Sequence, residues 1–72
     1  MTTTKTATAY RTVEQFSDMR ENVQNGNWRD AAKIGESGGW YSSDILEFND
    51  SYEYPFDMRD LVILVEMIQE LR

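Results

Sequence analysis

Acidic side chains recur at intervals of three or four residues from Asp44 to Glu70 of this 72-residue chain, with one gap of six. Tyrosines, phenylalanines and a tryptophan are interleaved with them. On a helix, side chains at this spacing lie on one face, about 5–6 Å apart between Cβ atoms. A row of carboxylates beside tyrosines imitates the phosphates of a nucleic-acid strand, and the Arg or Lys side chains of a nucleic-acid channel would pair with it.

The series predicts an anionic surface that binds protein, since tyrosine is also favoured at protein interfaces. The predicted protein-binding residues are Asp44, Glu47, Asp50, Tyr52, Glu53, Tyr54, Asp57, Asp60, Glu66 and Glu70. Pro55 excludes one continuous helix through the row, so the row must bend. The competing interpretation is an ordinary solvated acidic surface that keeps a small protein in solution.

Groups suited to catalysis or metal binding are scarce. The chain has no histidine and no cysteine, which removes the commonest general base, the usual nitrogen ligand of zinc and every thiolate. Its serines lack a partner base, and a glycosidase-type pair of carboxylates needs a cleft that so short a chain hardly forms. Asn49, Asp50 and Glu53 offer oxygens to a hard cation, but not at the spacing of a calcium loop. The sequence therefore predicts no enzyme activity, no cofactor and no dedicated metal site.

The charge is uneven along the chain. Residues 1–35 carry five basic and four acidic side chains, a net charge of +1, whereas residues 36–72 carry nine acidic and two basic ones, a net charge of −7. Such a surface repels phosphate backbones and anionic lipid headgroups. The expected partner is a basic protein surface that itself binds nucleic acid, with no direct binding of nucleic acid or membrane. No apolar run approaches the roughly 20 residues that span a bilayer, and no signal peptide is evident, so a cytoplasmic location is expected.

The first half of the chain predicts two helices. Thr12-Val13-Glu14-Gln15 fits a capping box, apolar residues follow at helical spacing, and Asn25-Gly26 is a stop signal, so the first helix is predicted over about residues 13–24. Asn27 is the predicted N-cap of a second, shorter helix that ends at Gly35. Trp28 is predicted to anchor the core.

The second half is less clear up to Pro55. Residues 40–54 favour a short helix capped by Ser43 or Asp44, with a strand as the alternative, because aromatic and β-branched residues are frequent there. Asn49-Asp50-Ser51 is typical of a turn. After Pro55 a last helix is predicted, with Asp57 as its N-cap and a hydrophobic staple between Phe56 and Leu61.

The last helix is too apolar for an ordinary surface helix. Five apolar residues run together from Leu61 to Val65, and on a helical wheel Val62 and Ile63 flank the polar side rather than joining the apolar face. The helix is therefore predicted to be buried around most of its circumference. It lies either at the centre of its own bundle or against a second chain, and in the second case Val62 and Ile63 are the predicted self-association residues of a homodimer.

Together these patterns predict a mainly α fold: a bundle of three or four short helices, with a small strand pair, and hence an α+β fold, as the alternative. Residues 1–10 are predicted to be a flexible or edge-strand N-terminal tail, and residues 11–72 a single helical domain. A chain of this length buries only about 60% of the surface that its unfolded form exposes, so its core is marginal. Without cysteines, a partner or a second subunit is the remaining source of extra stability.

In size, composition and the acid series from Asp44 to Glu70, the chain resembles small acidic proteins encoded by phages and plasmids. Among these are anti-CRISPR and antirestriction inhibitors, several of which act by presenting DNA-like negative charge. The resemblance implies a target that normally grips nucleic acid, such as a CRISPR or restriction complex, in the cytoplasm of a host cell. The alternatives are a structural or adaptor protein that self-associates through the last helix, and an antitoxin-like regulatory subunit.

Overall fold

Four helices make up the part of the chain that the computed structural model describes, residues 11–72. They are α1 (Val13–Gln24), α2 (Trp28–Ser37), α3 (Ser42–Ser51) and α4 (Met58–Leu71). Residues 11–72 contain no strand. The prediction of a mainly α bundle of three or four short helices is therefore confirmed. The tail predicted for residues 1–10 lies outside the described residues.

Helix α1 begins at the predicted capping box. The Gln15 amide donates to Thr12 Oγ1 at 3.1 Å, and the Thr12 amide donates back to Gln15 Oε1 at 3.4 Å. Two amide protons that would lack a partner at the helix start are satisfied in this way. The helix ends at Gln24, and Gly26 follows with a φ of 83°, a left-handed conformation that a residue with a Cβ rarely adopts. The predicted bounds of this helix are confirmed.

Replacement of Gly26 isolates the effect of backbone conformation on stability, because a Cβ built there meets no atom within 4 Å and therefore causes no steric clash. Gly26→Ala is expected to lower the free energy of unfolding by about 1 kcal/mol, the cost of a left-handed L-residue. Gly26→Asn is the matched control and should cost less, because Asn tolerates this conformation. Urea denaturation measures both variants. Equal stabilities for Ala, Asn and Gly would contradict a left-handed requirement.

Helix α2 begins after Asn27, the predicted N-cap residue, but it ends later than predicted. The Asn27 side chain makes no cap hydrogen bond; instead the Asn27 amide donates to Asn22 O at 2.7 Å, which ties the short connection to α1. The helix continues past Gly35 to Ser37, and the left-handed residue is Gly39, with a φ of 73°. Gly35 is buried because Ile68 of α4 and Met19 of α1 occupy the space beside it. Gly35 therefore allows α2 to approach α1 and α4 closely, and it does not end the helix.

Helix α3 confirms the short helix predicted for this segment but corrects its details. Tyr41 occupies the N-cap position, and Asp44 Oδ2 accepts from the Tyr41 amide at 3.0 Å. The predicted turn at 49–51 is instead the last turn of the helix. The Asn49 side chain does not form a local turn. Its Oδ1 accepts a hydrogen bond from the Phe56 amide at 2.6 Å, and this bond links the end of α3 to the connection to α4.

Helix α4 begins after Asp57, as predicted, although the Asp57 side chain makes no cap hydrogen bond. Phe56 and Leu61 are both buried, in agreement with the predicted staple. Helix α2 packs closely against both α1 and α4. Its small buried residues Ala31 and Ala32 allow this approach.

The core is organised around the Phe16 ring. Its centroid lies 5.0 Å from that of Tyr52, 5.4 Å from that of Phe56 and 5.8 Å from those of both Trp40 and Phe48. These distances are typical of favourable aromatic pairs. Trp28, predicted as a core anchor, is only partly buried and packs against the edge of the hydrophobic core.

The buried Trp40 indole has a polar partner as well. Its Nε1 donates to Gln15 Oε1 at 3.0 Å, so the Gln15 of the α1 capping box also satisfies a core donor. A buried indole N–H without an acceptor would destabilise the fold. The start of α1 is thereby fixed to the α2–α3 connection.

Candidate protein-binding surface

Helix α4 is buried along one side only. Leu61, Leu64 and Ile68 are buried, whereas Val62 is 48% and Ile63 is 38% exposed. Of the two predicted arrangements, a position at the centre of its own bundle is therefore wrong for residues 11–72, whereas a position against a second chain stays a prediction. The physical reason is that α2 and α3 flank α4 and no further helix of residues 11–72 covers its outer side.

An apolar groove runs between α3 and the outer side of α4, with a volume of about 230 Å³. Five apolar side chains line it, and Ser42 and Glu66 are its polar members; the apolar ones are Leu46, Met58, Leu61, Val62 and Val65. We call this feature the α3–α4 groove. Leu46 is 47% and Met58 is 60% exposed, so the groove presents apolar surface directly to solvent.

The sequence pattern predicted Val62 as an interface residue, but it did not predict that Val62 lies in one groove with Leu46 and Met58. Leu46 follows the buried Ile45, and neighbouring residues on a helix point about 100° apart. Only one of the two therefore faces the core, and the other lies at the edge of the helix. That signal was present in the sequence, but which edge met α4 depended on the path of the α3–α4 connection.

The predicted acid row divides into two groups. Asp44 and Asp60 are only partly exposed. The other six carboxylates are exposed, and we call them the acidic surface: Glu47, Asp50, Glu53, Asp57, Glu66 and Glu70. Glu47 and Asp50 stand three residues apart on α3, and Glu66 and Glu70 four apart on α4, so each pair shares a helix face.

Asp44 has a structural partner. Its Oδ1 lies 3.4 Å from Arg11 Nε, and the same guanidinium donates through Nη1 to Gly39 O at 3.1 Å. Its other oxygen accepts from the Tyr41 amide. The carboxylate therefore links α3 to Arg11, just before α1, and each of its two oxygens has a partner within the fold.

The two predicted tyrosines occupy different environments. Tyr52 packs edge-on against Phe16 and belongs largely to the core, whereas Tyr54 is exposed. Tyr54 also holds Arg20, because its carbonyl accepts from Arg20 Nε at 3.0 Å. The Arg20 guanidinium lies 5.5 Å from the Phe56 ring centroid, within the range of a cation–π contact.

A polar cleft of about 450 Å³ opens beside this arginine, between α1 and the α3–α4 connection. Its lining consists of polar and aromatic side chains: Ser17, Arg20, Glu21, Gln24, Tyr52 and Tyr54. One basic and one acidic side chain give it little net charge. It offers neither a strong anion site nor a paired acid and base of the kind that catalysis needs.

The α3–α4 groove is therefore apolar, with Glu66 in its lining and Asp50 one helical turn after its residue Leu46. Within residues 11–72, no three acidic side chains come close enough together to hold a metal ion. None of the helices described is long and apolar enough to cross a membrane. No protein-family model, curated protein or solved structure matches this chain.

Proposed function

We propose that this protein is a non-catalytic inhibitor whose acidic surface occupies a basic, nucleic-acid-binding groove of a partner such as a CRISPR or restriction complex. The observation that carries the proposal is the exposure of the six carboxylates of the acidic surface between Glu47 and Glu70, a stretch in which Arg59 is the one basic residue. The only ion pair in residues 11–72 within 4.0 Å joins Arg11 and Asp44, so none of the six is neutralised there.

The physical support is electrostatic. The net charge of −6 produces a negative potential that steers a cationic partner towards the protein and speeds association. Exposed charges are screened by salt over about 8–10 Å at ionic strengths near 0.1–0.15 M. Binding through the acidic surface should therefore weaken as salt increases, as the binding of DNA to the same partner does.

The test is a competition assay against DNA. Fluorescently labelled duplex bound to a purified CRISPR or restriction complex is titrated with the wild-type protein or with the triple variant Asp50→Lys, Glu53→Lys, Asp57→Lys. We expect the wild type to displace the duplex and the triple variant to need about 100-fold more protein, from about 1 kcal/mol for each reversed charge. Fluorescence anisotropy measures the displacement at several salt concentrations.

A matched control separates the acidic surface from net charge. Asp18→Lys, Glu21→Lys, Glu36→Lys changes the total charge by the same amount at exposed positions on α1 and α2. This variant should lose little displacement. If the two triple variants weaken displacement equally, the acidic surface has no specific role. If the Asp50→Lys, Glu53→Lys, Asp57→Lys variant displaces the duplex as well as the wild type does, the proposal is wrong. Circular dichroism verifies that both variants are folded.

The second candidate function is a structural or adaptor protein that self-associates, and the exposure of Val62 and Ile63 on α4 favours it. The charges oppose it only for parallel copies of α4, in which Glu66 and Glu70 would face their own counterparts; an antiparallel contact centred on Val62 and Ile63 would instead bring Arg59 of one copy near Glu66 of the other. Sedimentation of the wild type at two concentrations distinguishes the candidates, since only self-association makes the mass depend on concentration.

A further inference from the structure

The α3–α4 groove is the feature that the electrostatic function leaves unexplained. An acidic surface that only imitated phosphates would need no apolar recess, and exposed Leu46, Met58 and Val62 carry a risk of aggregation. Resting on the proposed function, we infer that this groove is the anchoring site of the interface. It takes one large apolar side chain from a helix of the partner that also carries Arg or Lys one turn from that side chain.

The positions of the carboxylates point to a basic helix. Asp50 follows Leu46 by four residues on α3, and Glu66 follows Val62 by four residues on α4, so on each wall a carboxylate stands one turn beyond an apolar groove residue. Glu66 also lines the groove itself. A partner helix with an apolar residue and a basic residue three or four positions apart has the same spacing.

In measured protein complexes, apolar anchors and rim charges contribute differently to binding. Truncation costs most at a few apolar or aromatic anchors in a desolvated pocket, and the groups around them mainly exclude water. Charges at the rim chiefly set the association rate and its salt dependence. Met58 is suited to the pocket, because a flexible thioether side chain adapts to differently shaped anchors.

A second copy of this chain fits the groove less well than a basic partner. On α4 of a second copy the residue one turn after Val62 is Glu66, where a basic helix would carry Arg or Lys, and a carboxylate brought near Asp50 and Glu66 of the first copy opposes binding. Arg59, which is exposed, is the one basic residue within α4. The charge balance therefore selects a cationic occupant.

Three synthetic peptides of about 18 residues, or five helical turns, test the inference with the full-length protein. The first combines a Leu stripe with Lys at three- and four-residue spacing. The second replaces each Leu by Ala and keeps the charge and helix propensity. The third replaces each Lys by Glu. Fluorescence anisotropy of the labelled peptides gives the dissociation constants at low and moderate salt.

We expect the dissociation constant of the Leu/Lys peptide to be at least about tenfold lower than that of the Ala/Lys peptide, because only the Leu/Lys peptide fills the groove. The variant Leu46→Ser, Val62→Ser should remove that difference and leave Ala/Lys binding unchanged. Val13→Ser, which alters an exposed apolar residue of α1, is the control and should leave both peptides unaffected.

The outcomes separate the groove from the charge. Equal binding of the Leu/Lys and Ala/Lys peptides overturns the groove but leaves the electrostatic proposal standing. Equal binding of the Leu/Lys and Leu/Glu peptides overturns the electrostatic proposal and the basic occupant with it. No binding of any peptide overturns the inference. A concentration-dependent mass that Val62→Ser abolishes assigns the groove to a second copy, which also overturns it.

Discussion

Phe16→Ala is expected to lower the free energy of unfolding by about 3–5 kcal/mol, the range for truncating a fully buried aromatic side chain. Phe16 is completely buried, and its ring packs against the rings of Trp40, Phe48, Tyr52 and Phe56. These partners come from three different parts of the chain. The cavity would therefore loosen α1 from both α3 and the α3–α4 connection.

The size of the domain makes this loss decisive. Small domains bury a smaller fraction of their surface than large ones, and their total stability is often only several kcal/mol. We therefore expect the Phe16→Ala variant to stay mainly folded only at low urea concentrations, with an unfolding midpoint far below that of the wild type. Urea denaturation followed by tryptophan emission measures the loss, because Trp40 is fully buried and its emission shifts to longer wavelength when water reaches it.

Val13→Ala on the same helix is the control for this experiment. Val13 is exposed, and surface substitutions of this kind change stability by about 0.5 kcal/mol or less. A Phe16→Ala protein that unfolds at nearly the same urea concentration as the Val13→Ala protein would show that the aromatic cluster contributes little. A single cooperative transition in both variants is required for the comparison.

The elements best predicted from sequence are those fixed by neighbouring residues. The start of α1 depends on Thr12 and Gln15, and its end on Gly26, all within one segment of the chain. Pro55 likewise limits where α4 can begin. Such signals act through local hydrogen bonds and backbone geometry, which need no knowledge of tertiary packing.

The errors arose where a distant residue decided the outcome. Gly35 was predicted to end α2, yet contacts from Met19 and Ile68 determine its role. Asn49 was predicted in a turn, yet it bonds to Phe56 beyond the helix. Helix propensity and turn chemistry cannot weigh partners that the fold brings together later.

The same limit applies to the candidate binding surface. The series of acids and the excess apolar character of α4 were visible in the sequence, and together they suggested an interface. Asp44, however, was counted in the acid row although Arg11, far along the chain, pairs with it. The α3–α4 groove required the relative placement of two helices, which the pattern of either one alone does not specify.

The crossing of α2 and α4 leads to the second large effect, at Gly35. Gly35→Leu is expected to lower the free energy of unfolding by about 3 kcal/mol, the upper part of the range for overpacking a core. A Cβ at this position would lie 2.9 Å from Ile68 Cγ1 and 3.2 Å from Met19 Sδ, and it would collide with Ile68 Cδ1. The gain of about 1 kcal/mol from removing a helical glycine does not offset such a displacement.

A compensating substitution makes this prediction specific. Ile68→Ala alone should destabilise the protein by about 2–5 kcal/mol, because it empties a buried site. In Gly35→Leu, Ile68→Ala, the new leucine occupies the space that the isoleucine leaves, so the double variant should be more stable than the sum of the single effects by about 1–3 kcal/mol. Urea denaturation of the four proteins gives this coupling free energy.

Lys33→Leu provides the matched control, since it places the same side chain on an exposed position of α2. Combined with Ile68→Ala, it should show an effect equal to the sum of the two single substitutions, within about 0.5 kcal/mol. Equal coupling at positions 33 and 35 would mean that leucine acts through helix propensity or the unfolded chain. Coupling confined to position 35 would establish that α2 and α4 meet at a glycine because no side chain fits between them.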